Sequence, residues 1–159
     1  MSDAASAPLQ HLLVEEVAHL RGFLELLEAE QQALVAGDID RLMPLAGEKT
    51  ELFARLSDLG AARGRLLAEA ALGADRAGME AWLARHADAA APRRAWRELL
   101  TLGERARALN ESNGRLIATR LANTQQALAT LRGAANQAAL YGPDGQATPV
   151  GGGRSLGAA

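Results

Sequence analysis

The chain has no cysteine among its 159 residues. That removes a disulfide framework, a thiolate metal site and a cysteine nucleophile. Aromatic residues make up only 3% of it, although 48% is hydrophobic. Its apolar content is therefore mostly Leu and Ala, which suits helix-on-helix packing and argues against a sheet. Neither charge sign dominates: the formal net charge is −2, too near balance for electrostatic nucleic-acid binding. No apolar run approaches the ~18 residues that read as a membrane span, so no direct membrane insertion is expected. The opening "MSDAASAPLQ" has no basic region followed by an apolar stretch. A signal peptide is not expected, and a cytoplasmic location is.

Catalytic signatures are missing too. There is no G-x-x-x-x-G-K-[ST] phosphate loop, and "GGGR" stands in the tail with no helix after it. No serine lies in a nucleophile-elbow context. His11, Glu15 and His19 share a helix face at i, i+4 and i+8, but the spacing is not H-E-x-x-H and a fourth ligand is wanting. That trio reads as a solvated polar face. With no acid–base pair, an enzyme is not expected, nor is a cofactor or a metal.

What is present is helical period. Leu13, Val17, Leu20, Leu24, Leu27, Gln31 and Leu34 alternate spacings of four and three, the repeat of a bundle seam. They predict a first helix over 8–36, with Pro8 in its first turn and Ser6 before it as cap. Gly37 ends it and Asp38 caps a second helix over 39–72. That helix carries Leu42, Leu45, Lys49, Leu52, Leu56, Leu59, Arg63, Leu66 and Ala70 in the same register. Pro44 should kink it or set off a short first segment, and the brief connection makes the two helices antiparallel neighbours.

From Gly60 to Pro92 glycines interrupt the pattern. This stretch reads as an elbow with one short helix over 75–87 that uses Met79, Trp82 and Leu83. A long helix follows over 92–137. Its front half has two apolar rows, one through Trp96, Leu100, Gly103, Arg107 and Asn110. The other runs through Leu99, Leu102, Ala106, Leu109, Asn113 and Leu116, making a broad face for both earlier helices. Trp82 and Trp96 are expected as core anchors. Beyond, the face narrows to Ile117, Leu121, Thr124, Leu128 and Leu131. At 1.5 Å per residue this helix is ~69 Å long against ~44 Å for the first, so it should extend ~20 Å past it. Its leucine seam there would be an exposed stripe, and such stripes generally belong to a partner. Residues 141–159, rich in Gly and Pro, are expected to be a flexible tail. The fold class is thus all-α: an elongated antiparallel helical hairpin or bundle, with a chain domain over 1–140.

"ALNESNGRLI", 108–117, is odd inside such a helix, because Asn-Gly usually marks a turn. Asn110 and Asn113 are neighbours on one face. Either they fix register as polar residues in a seam, or their amides hydrogen-bond a partner. Register is favoured, because they stand where the broad face narrows. Gly114 costs ~1 kcal/mol against Ala in a helix, which another backbone in close approach would explain. Tyr141, stopped at once by Gly142-Pro143, is poorly placed for a core and well placed for docking.

These residues carry a resemblance. "LNESNGRLIATRLANTQQALATLR" followed by "LYGPDGQ" resembles the FlgN family of flagellar export chaperones. So does "LLEAEQQALVAGDID" followed by "EKTELFARL". The similarity covers Leu9 to Gln146. The Ala/Gly-rich elbow and the "GGGRSLGAA" end depart from the pattern. The resemblance implies a cytoplasmic helical chaperone for the hook–filament junction proteins FlgK and FlgL. Such a chaperone binds a client's C-terminal helical segment with its own C-terminal region and docks on the cytoplasmic domain of the export-gate protein FlhA. On physical grounds beside that resemblance, the residues expected to bind the client are Asn110, Asn113, Gly114, Ile117, Leu121, Leu128 and Leu131. The implied gate-docking residues are Leu140 and Tyr141. A weak homodimer is compatible with such a chain. A reading from another class is a structural coiled-coil adaptor that homo-oligomerises through its leucine seams.

Overall fold

A computed structural model describes residues 6–140, with side chains to residue 136. It has four helices and no strand among the described residues: α1 (Ser6–Ala36), α2 (Ile39–Glu69), α3 (Arg76–Arg85) and α4 (Ala90–Leu140). The fold is all-α. The chain divides into two compact units, Met1–Leu116 and Ile117–Ala159.

In the first unit the seam of α1 faces inward: Leu13, Val17, Leu24, Leu27 and Leu34 are buried. So is a second row, Leu9, Glu16, Phe23 and Glu30, spaced by seven. A helix buries two rows when it packs between two neighbours. Here α2 covers one side and the front of α4 the other. Arg21 pairs with Glu98, Glu28 with Arg105 and Gln31 with Ser112. The numbers rise together, so α1 and α4 run parallel. Against α2 they run opposite: Glu16 meets Arg63 and Glu30 meets Lys49.

The α1–α2 connection closes as a Schellman motif. Gly37 is left-handed (φ 72°), and the Asp38 N–H reaches the Ala33 carbonyl at 2.9 Å. Asp38 occupies the cap position of α2, but its side chain makes no capping hydrogen bond, which corrects the expected cap. α2 runs unbroken through Pro44 and ends at Glu69 rather than 72. Ala71 takes the left-handed position of its terminus (φ 58°), and Leu72 N–H closes on Leu67 O at 2.9 Å.

The elbow contributes α3, where the Asp75 carboxylate accepts the Gly78 N–H at 3.0 Å. Gly78 has no room for a side chain: a Cβ would stand 1.7 Å from the Gly73 carbonyl oxygen. Met79, Trp82 and Leu83 join one core with Leu9, Leu13, Leu27, Leu67, Trp96, Leu99, Leu102 and Ala106. α4 starts at Ala90, two residues before Pro92, and its helix continues to Leu140.

Candidate functional site

Two places draw attention, one in each unit. In the second unit, every residue of 117–136 is exposed. Ala, Leu, Gln and Arg, all strong helix formers, dominate this stretch. Thr124 and Thr130 donate their hydroxyls to the Arg120 and Gln126 carbonyls. Among these residues Ile117 (49%), Leu121 (57%), Leu128 (49%) and Leu131 (66%) present a stripe of large apolar side chains to water. The flanking charges are of one sign. Arg115, Arg120 and Arg132 fall between Ser112 and Leu140, and no Asp or Glu does.

The asparagines lie in the first unit and are engaged there. Asn113 is fully buried. Its Nδ2 donates to Leu27 O and to Glu30 Oε1, both at 2.9 Å. Lys49 Nζ donates to the two Glu30 oxygens at 3.2 and 3.4 Å and to Asn110 Oδ1 at 2.7 Å. One polar cluster thus ties α1, α2 and α4 together. In this arrangement Asn113 is out of a partner's reach, and its amide sets helix register from inside. Asn110 is exposed and its Oδ1 is occupied. A Cβ at Gly114 would meet nothing within 4 Å, so no other helix of the described residues approaches it there. The Leu140 side chain and Tyr141 lie outside the described residues.

Two heptads from that cluster is a second one. Arg63 Nε stands 3.4 Å from Glu16 Oε1, and its guanidinium lies 5.0 Å from the Trp96 ring centroid, over its face. Burial raises the Glu16 carboxyl above its ordinary value, and the Arg63 charge offsets this in part. The spacing repeats on both helices of the hairpin. Glu16 and Glu30 are fourteen apart on α1, as are Lys49 and Arg63 on α2. Lys49 is also the only lysine of the chain, set against sixteen arginines. Sequence reasoning placed Lys49 and Arg63 in the α2 seam but missed their glutamates. The shared spacing of two heptads was the available signal.

The Glu30 cluster borders a groove of about 600 Å³ in the first unit, lined by Phe23 and Glu30 of α1, Lys49 and Phe53 of α2, and Arg107 and Asn110 of α4. The Phe23 and Phe53 rings stand 6.4 Å apart. On α1's outer face, His11 Nε2 approaches Glu15 Oε1 at 3.3 Å, and the His19 ring lies 2.8 Å from the Glu15 carbonyl. Among the described residues no three His, Cys, Asp or Glu side chains are grouped to hold a metal ion. No described helix is long and apolar enough to cross a membrane.

The family described as FlgN protein matches residues 1–149. The chain belongs to the FlgN family. A solved structure agrees: a Pseudomonas aeruginosa protein assigned to flagella synthesis as FlgN is 35% identical to this chain. The two superpose with a TM-score of 0.66 over 74% of this chain and 90% of that one. No curated protein matches. The matched span includes both the polar cluster and the exposed stripe of this FlgN-family chain.

Proposed function

We propose that this FlgN-family chain is a cytoplasmic flagellar export chaperone. It binds the C-terminal helical segments of the hook–filament junction proteins FlgK and FlgL before their secretion. The observation that carries the reading is the exposed row of Ile117, Leu121, Leu128 and Leu131 in a chain of this family. An amphipathic client helix kept apart from its assembly needs cover for its apolar face, and a row at spacings of four, seven and three offers it. Delivery follows by docking Leu140 and Tyr141 on the cytoplasmic domain of FlhA.

The energetics allow release. A dissociation constant between nanomolar and micromolar corresponds to ~8–12 kcal/mol. Fully burying one such side chain gives ~1.5–3 kcal/mol, and these four are already half covered. The stripe alone therefore yields a few kcal/mol, and the affinity needs further contacts.

The test replaces Leu128 and Leu131 with Asp in the full chain. Client co-purification should be lost while circular dichroism remains helical; retained binding would remove the stripe from the mechanism. Tyr141→Ala should spare client binding and impair capture by the FlhA cytoplasmic domain. Loss of both activities together would overturn this division of labour.

A further inference from the structure

We propose that the groove between α1, α2 and the front of α4 is a second client-binding seat. It takes one apolar side chain of an amphipathic helix that carries a carboxylate beside it. The inference rests on the escort reading above and adds to it a site in the first unit and a chemistry for the partner.

The groove is lined by two phenylalanines together with Glu30, Lys49 and Arg107. Glu30 and Lys49 pair with each other, so Arg107 is the lining charge without an ion pair among the described residues. Its two aromatic residues, Phe23 and Phe53, are the only phenylalanines in the chain. Phe23 is buried, but Phe53 remains 63% exposed with its ring tilted toward Phe23. Three helices line the space and its volume, about 600 Å³, lies within the range of formed binding sites. A helix laid between α2 and α4 would cover Phe53 and complete a four-helix cross-section. Gly103 and Gly114, on the same helix face as Arg107 and Asn110, leave open space on α4: a Cβ at either would meet nothing within 4 Å.

Charge selects the occupant. Glu30 already has its oxygens engaged by Lys49 and Asn113, so the inner charges cancel. Arg107, exposed at the rim, has no ion pair among the described residues. An unpaired Arg107 beside the two phenylalanines fits an apolar side chain followed by Asp or Glu. A second copy of this chain is a poor occupant. Its exposed seam is flanked by arginine alone and would bring like charge to Arg107.

The experiment titrates purified FlgK or FlgL into the full chain at low and physiological salt. It compares the parent with Phe53→Asp, Arg107→Glu and the double Leu128→Asp, Leu131→Asp variant. Both groove positions are exposed, so helicity should be unchanged. Phe53→Asp should weaken binding about tenfold or more. Arg107→Glu should weaken it severalfold and flatten its salt dependence. Parent-like binding by both groove variants, with binding lost in the double leucine variant, would overturn the groove and leave the escort reading standing. Parent-like binding by all of them would overturn both. If Arg107→Glu alone binds like the parent at both salts, the carboxylate is refuted. If light scattering shows a parent dimer that Phe53→Asp dissociates, the occupant is a second copy and the proposal fails.

Discussion

Replacing Lys49 with Met should be among the most damaging single changes near the chain's partly exposed surface. The Lys49 side chain is 27% exposed and that of Glu30 only 9%. Without the ammonium, a buried carboxylate keeps a single donor, the Asn113 amide. Removing one member of a fully buried pair costs about 3–5 kcal/mol, and the partial exposure of Lys49 lowers that to about 2–3 kcal/mol. With a urea slope of about 1.5 kcal/mol per molar, the unfolding midpoint should fall by roughly 1.5 M. Circular dichroism at 222 nm during urea titration reads it directly. The companion double variant, Glu30→Leu with Lys49→Met, removes both charges and should return to within about 1 kcal/mol of the parent. A loss below about 0.5 kcal/mol in Lys49→Met, or a double variant weaker than the single, would refute the claim that this pair is electrostatically coupled.

Two further outcomes follow from the first unit. Ala71→Gly should stabilise by about 0.5–1 kcal/mol, since a non-glycine residue at positive φ carries a penalty of about 1–2 kcal/mol, partly offset by glycine's entropy when unfolded; a thermal midpoint raised by about 2 °C would report it. Glu16 should make the fold less stable as pH rises from its ordinary 4.5 through its raised folded value. Over that window the folded chain binds more protons than the unfolded one. Glu16→Gln lacks this titration, so urea midpoints of the two proteins should shift in favour of the Gln variant as pH climbs from 4.5 toward neutrality, and parallel pH profiles would contradict it.

Much of the fold was legible because helical period is local. The α1 seam from Leu13 to Leu34 is inward as its spacing implied, and the short helix among the glycines buries Met79, Trp82 and Leu83. Burial at Glu16 and Glu30 was not legible. A glutamate beside a leucine seam ordinarily reads as solvated, and only a second neighbour on α1's other side encloses it. The second apolar row of α4 reached the core at Leu99, Leu102 and Ala106. Arg107 and Asn110, in the first row, instead line an open groove.

The stretch from Asn110 to Leu131 shows where each kind of information ends. Its sequence alone determined that a leucine seam at spacings of four and three continues past Gly114, because side-chain direction along a helix repeats with the backbone itself. The tertiary arrangement decided that Asn113 is an interior hydrogen-bond donor, that Gly114 has open space, and that two phenylalanines thirty residues apart share one groove. Those outcomes depend on which atoms from other helices arrive nearby. A one-dimensional pattern records the direction of each side chain and leaves its neighbours to the fold.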